Sequence, residues 1–117
     1  EYLVKVIQIA CSDLTTDITT GTTKAYFRMP YAMTLNDIRV SLSAAGTTTG
    51  ITIDVKENGT SILSTLLTTD ATEKTSTTAS VPRVISDTAL ADDSEITIDF
   101  TGVPTGGKGV ILTLKGN

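Results

Sequence analysis

The sequence predicts an all-β protein: a two-sheet antiparallel β-sandwich of about eight strands, forming a single domain over residues 1–117. Threonine occupies 24 of the 117 positions, and its β-branched side chain favours pleated surfaces. Short runs alternate between apolar and polar residues, and turn signals separate them at the spacing of a sandwich or barrel. A jelly-roll is the most economical form of such a sandwich. An immunoglobulin-like sandwich is the alternative, although the chain lacks its Cys…Trp…Cys core.

The N-terminal part predicts two strands separated by a polar segment. Residues 2–10 are mostly apolar but alternate imperfectly, which indicates a strand partly covered on both faces. Residues 11–23 are rich in threonine and read as a loop or a weak edge strand. Residues 24–29 form the next strand, which Pro30 ends because proline cannot donate to a ladder.

A hairpin is predicted in the middle of the chain. Residues 35–44 show the clearest alternation, and residues 46–50 form a glycine-flanked turn before a strand at 51–56. Asn58-Gly59 then predicts a type I′ turn, because the two central residues of such a turn need positive φ and Asn-Gly is the favoured pair there. Residues 61–67 should return antiparallel to 51–56.

The remaining elements are shorter until the last two strands. Residues 68–80 form a Thr/Ser-rich loop or a strand with a hydroxyl face, and residues 82–85 a short strand at most. Residues 95–100 and 108–115 alternate cleanly and close the sandwich. The inward positions of all these strands give the predicted core: Val40, Leu42, Ile51, Ile53, Val55, Ile62, Ile96, Ile98, Leu112 and Leu114.

Composition excludes most catalytic chemistry. The chain has no histidine, which removes Ser-His-Asp triads and nearly every catalytic zinc site. Its single cysteine cannot form an intrachain disulfide. A net charge of −4 argues against nucleic-acid binding. No run approaches the roughly 18 apolar residues of a membrane span. We therefore expect a protein that is not an enzyme, has no cofactor and binds neither nucleic acid nor membrane.

Some residues still have a weakly supported functional interpretation beside a structural one. Asp87, Asp92 and Asp93 are weak candidates for metal ligands in the acidic segment 86–94. The favoured interpretation of this segment is a solvated turn, in which residues 90–93 could form a single helical turn. Asp99 should lie on the outward face of its strand. Cys11 follows an apolar strand and reads as a small buried hydrophobe, because no histidine can activate it.

Three further patterns have both a functional and a structural interpretation. Asn58-Gly59-Thr60 matches a glycosylation acceptor, but the hairpin turn explains it better. The glycine-rich segment 106–109 lacks the spacing of a phosphate loop and reads as a flexible connection. The aromatic residues at 26, 27 and 31 form either a stacking site for a sugar or partner, or ordinary packing at a strand corner.

Several segments resemble a pattern of tailed-bacteriophage virion proteins, and in order they cover most of the chain. They are ACSD at 10–13, FRMPYAMTL at 27–35, DVKENGTSILST at 54–65, EKTSTTA at 73–79 and VISDTALADDSEITID at 84–99. The chain departs from the pattern at 46–50, where the relatives are expected to have a proline-containing turn.

The resemblance implies a structural virion protein that decorates or cements the capsid or forms part of a fibre. A receptor- or glycan-binding module of a tail fibre, with a host surface glycan as ligand, is the alternative. The implied location is the virion, and the implied partners are other virion proteins, such as the major capsid protein, and further copies of the chain. So small a sandwich has little core, and burial between subunits would add to it. Because virion modules of this kind sit at symmetry axes, the resemblance implies a homotrimer, with Tyr26, Tyr31 and Met33 expected at its interface.

Overall fold

The computed structural model describes residues 4–117, which form eleven strands and no helix. Two antiparallel sheets contain nearly all of these strands, with the orders β1-β11-β3-β9 and β2-β10-β4-β5. A short β7 also pairs with β4, and β6 pairs with β8. The strands are β1 (Lys5–Ala10), β2 (Gly21–Arg28), β3 (Met33–Ala44), β4 (Thr52–Glu57), β5 (Thr60–Ser61), β6 (Leu63–Thr65), β7 (Leu67–Thr68), β8 (Val84–Ile85), β9 (Ala89–Leu90), β10 (Glu95–Gly102) and β11 (Lys108–Gly116).

The core lies between the two sheets and confirms the predicted strand phase. All ten predicted core residues are at most 4% exposed, and Ile53 and Ile98 are completely buried. The predicted all-β sandwich is therefore correct. The first predicted strand, at 2–10, begins outside the described residues, and its described part is β1. There Lys5, Ile7 and Ile9 are half-buried and the alternate positions are exposed, so the alternation is more regular than expected.

The hairpin turn at Asn58-Gly59 forms as predicted. Asn58 has φ 50° and Gly59 has φ 87°, and Glu57 pairs with Thr60 across the turn. These values match a type I′ turn, whose twist suits the flanking strands.

The strand after this turn is interrupted, which corrects the prediction for residues 61–67. Only β5 and β7, at its two ends, pair with β4, while β6 between them pairs with β8. The physical reason is visible in the sequence, because Ile62 and Leu63 are adjacent and both are buried. Since neighbouring side chains of a regular strand point to opposite faces, the chain has to leave β4 to bury both.

Two smaller expectations also change. The turn at 46–50 is a crossing from β3 in one sheet to β4 in the other, and Thr47 pairs with Thr105 in an isolated bridge. The optional helical turn at 90–93 does not form, since Leu90 belongs to β9 and pairs with Met33.

Candidate functional site

The three residues predicted at an oligomer interface lie in different environments. Tyr26 is 64% exposed on β2, an edge strand. Tyr31 is half-buried against the core, with the Lys5 ammonium 5.0 Å from the centre of its ring. Met33 is only 3% exposed and belongs to the core, so it cannot present a surface to a partner. Its placement at an interface is therefore corrected.

A β-bulge explains the position of Met33. Lys115 pairs with Asp37 and Gly116 with Leu35, so β3 has an extra residue at this point. The extra residue shifts the alternation by one. Met33 and Leu35 consequently face the core together with Ile38, which a strict period of two does not allow.

The aromatic cluster predicted around Pro30 does not form a joint platform. Tyr26 is exposed, whereas Phe27 is half-buried and packs against the core. Adjacent residues of a strand point to opposite faces, so these two rings cannot stack on one ligand.

The weak metal candidates do not come together. Among residues 4–117, no group of three Asp, Glu, His or Cys side chains is placed to hold a metal ion. Asp87 accepts a hydrogen bond from the backbone N–H of Ala89 (3.1 Å), which is a local turn contact. Asp93 has φ 62°, and its carbonyl accepts a bond from Arg28 (2.8 Å). These contacts describe a hydrogen-bonded acidic turn.

Cys11 is buried as predicted. Burial raises the pKa of its thiol to about 11, against the smaller opposing effect of a hydrogen bond with the Leu112 backbone. A thiol with such a pKa is almost entirely protonated near neutral pH, so it is a poor nucleophile.

Asp99 lies on the outward face of β10 as predicted, but it is only 6% exposed there. Three β2 residues, 22–24, lie between the register partners of Ile98 and Phe100, so β2 is bulged opposite Asp99. Thr23 adopts φ 49° in this bulge and donates its backbone N–H to the Asp99 carboxylate (2.8 Å). The Lys56 ammonium lies 3.0 Å from the other carboxylate oxygen. Burial acts to raise the pKa of Asp99, but these contacts outweigh it and the pKa lies below its usual value.

A basic cavity lies beside β3 and was not predicted. Asp37 accepts a hydrogen bond from Arg39 Nε (2.6 Å) and another from Arg83 Nη2. Burial acts to raise the pKa of Asp37, but the two arginines outweigh it and hold the pKa below its usual value. The period-two spacing of Asp37 and Arg39 in the sequence could have placed them on one face. Nothing in the sequence pattern could have brought Arg83 to them from a loop.

One outer surface carries exposed apolar side chains. Val4 and Val6 are 61% and 49% exposed at the β1 edge, and Ile111 of β11 is partly exposed. Leu14 lies over the same sheet, since its Cδ2 is 2.9 Å from where a Cβ on Gly109 would stand. Polar residues separate them, because Gln8 and Thr113 pair between Val6 and Ile111 on the same face.

Comparison of the chain with protein-family models, with curated proteins and with solved structures finds no match. No helix among residues 4–117 is long and apolar enough to cross a membrane.

Proposed function

We propose that this protein is a non-enzymatic structural component of a tailed-bacteriophage virion, decorating or cementing the capsid or forming part of a fibre. The sequence segments that resemble phage virion proteins are the origin of this proposal. The strand order supports it, because the chain passes from sheet to sheet at each step from β1 to β4 and again from β9 to β11. From this order we infer a jelly-roll, a fold that occurs in viral capsid proteins.

The open side of the sandwich is the observation that carries the assembly role. Both β1 and β2 are edge strands, with one pairing partner each in the described part of the chain. They lie on the same side, since Lys5 of β1 donates to the carbonyl of Ala32 (2.9 Å), just beyond β2. Edge strands carry unpaired backbone groups that invite another chain. Val6 and Tyr26 add exposed apolar surface there.

Self-association through this side, as a homotrimer, is the form we propose. Sedimentation at micromolar concentration should give the trimer mass, and Val6→Lys with Tyr26→Lys should shift it to the monomer. Thr101→Lys, an exposed position of β10, is the matched control and should leave the trimer intact. A parent chain that sediments as a monomer would contradict the homotrimer.

Location on the particle tests the virion role itself. Immunogold labelling of purified particles of the phage that encodes this chain should place the protein at regular capsid positions or along a fibre. Its absence from purified particles, by labelling and by mass spectrometry, would refute the proposal. Labelling confined to the tail tip would favour the receptor-binding alternative.

A further inference from the structure

The cavity beside β3 concentrates positive charge in an acidic protein. Arg39 and Arg83 share the single carboxylate of Asp37. Two cations against one anion give this site an excess of positive charge, although the whole chain has a net charge of −4. A site with such an excess attracts anions.

Within residues 4–117, the two arginines have hydrogen-bond donors that Asp37 does not use. A guanidinium has five N–H groups, and Arg39 uses its Nε and Arg83 its Nη2 on Asp37. The Nε of Arg83 is buried and has no hydrogen-bond partner among residues 4–117. A buried donor without a partner costs about 1–3 kcal/mol. A ligand oxygen that reaches this nitrogen through a small shift of the groups covering it would remove that cost.

The space next to these donors can hold a ligand of limited size. The cavity has a volume of about 200 Å³ and opens to solvent. This equals the space of roughly six or seven waters at about 30 Å³ each, and lies below the roughly 300–1,000 Å³ of pockets for drug-sized ligands. Its wall combines the hydroxyl residues Ser76 and Thr77 with apolar surface from Ala79 and Pro82.

We propose that this cavity binds an oxyanion on a small molecule, either the carboxylate of an acidic monosaccharide or a phosphate group, with Arg39 and Arg83 as its ligands. Guanidinium groups match the planar geometry of such anions and bind them through two parallel hydrogen bonds. Anchoring the loop that carries Arg83 needs only the pair between Arg83 and Asp37. The additional arginine repels this pair's cation, and a bound anion gives it a favourable role. This inference is independent of the proposed virion role.

The test is an NMR titration of the purified protein with three probes: sodium glucuronate, sodium phosphate and neutral glucose. The side-chain N–H signal of Arg83 Nε should shift and saturate in the millimolar range with glucuronate, with phosphate or with both. Whichever probe saturates identifies the source of the oxyanion. Glucose should cause no saturating shift, because it carries no charge.

Variants separate the cavity from general charge attraction. Arg39→Gln should weaken binding about tenfold or more, because it removes a charged donor. It leaves the contact between Arg83 and Asp37 in place. Arg28→Gln is the control, since Arg28 is an exposed arginine on the other sheet, and it should change the affinity less than twofold.

Three outcomes would overturn the proposal. The first is that neither anion shifts the Arg83 signal. The second is that Arg39→Gln binds as tightly as the parent while its spectrum shows a folded chain. The third is that Arg28→Gln weakens binding as much as Arg39→Gln, which would mean that any surface arginine suffices.

Discussion

Replacing Asp99 by alanine should destabilise the protein more than its position on the outer face of β10 suggests. Its carboxylate accepts a hydrogen bond from the Thr23 N–H (2.8 Å) and also pairs with Lys56 (3.0 Å). Asp99 itself is 6% exposed, so water cannot easily replace it. In the Asp99→Ala variant the Thr23 N–H loses its acceptor, while Lys56, which is one-third exposed, can turn to solvent.

The expected loss is about 1.5–3 kcal/mol of unfolding free energy, the contribution of a hydrogen bond to a charged group. For a domain of this size that lowers Tm by roughly 4–15 °C. Urea denaturation and thermal melts at pH 7 measure both quantities.

The stability difference between the parent and Asp99→Ala should also depend on pH. The pKa of Asp99 in the folded chain lies below its unfolded value of about 3.9. Its contribution is therefore fully present above about pH 4 and is lost as the pH falls through the folded pKa. The stability gap between parent and variant should be constant from neutral pH to about pH 5 and should narrow below pH 4.

Asp17→Ala is the matched control for Asp99→Ala. Asp17 lies closer to its lysine partner, at 2.7 Å from Lys108, but its side chain is 64% exposed. An exposed ion pair contributes roughly 0–1 kcal/mol, so the shorter pair should matter less than the buried one. Equal losses in the two variants, or an Asp99→Ala melt that matches the parent, would refute this reasoning.

Four further substitutions or modifications test other parts of the fold. Gly59→Val should lower the free energy of unfolding by about 1 kcal/mol or more, purely from backbone strain at φ 87°, since no atom lies within 4 Å of the added Cβ. Thr48→Gly should instead raise it by up to about 1 kcal/mol, because Thr48 already has φ 77°. Thermal melts of the two variants measure both effects. Ile98→Ala should cost about 2–5 kcal/mol, because the side chain is completely buried, and an unchanged urea midpoint would contradict its core position. Cys11 should react with a thiol reagent at pH 8 only after denaturation, because burial raises its pKa to about 11.

The regular parts of the fold follow from local patterns in the sequence. Alternation over a few residues identifies the inward face of β4, β10 and β11, and Asn58-Gly59 identifies the turn after β4. In these places each residue's environment depends on its immediate neighbours. The predictions there were correct because the period of a strand is a local property.

The errors occur where an irregularity or a distant segment decides the outcome. A bulge in β3 turns Met33 inward, and a bulge in β2 covers Asp99. Neither bulge has a glycine or proline at its centre that would signal it. The basic cavity needs Arg83 to approach Asp37 across 46 positions of sequence. Such a meeting depends on the whole topology and lies beyond any local pattern.

The contrast between two sheet edges is a further reason for the proposal that this chain serves in an assembly. The chain covers the β3 edge with its threonine-rich loop: Leu42 donates to the Lys74 carbonyl (2.9 Å) and Ser76 donates to the Val40 carbonyl (3.0 Å). The same sequence therefore protects one edge with backbone pairing. At the β1 edge, Lys5 points inward to Ala32, so its charge does not block the approach of another strand, and the exposed positions there include Val6. Within residues 4–117, the β1 edge has no strand pairing beyond β11 while the β3 edge is covered, which is the arrangement expected where another chain packs.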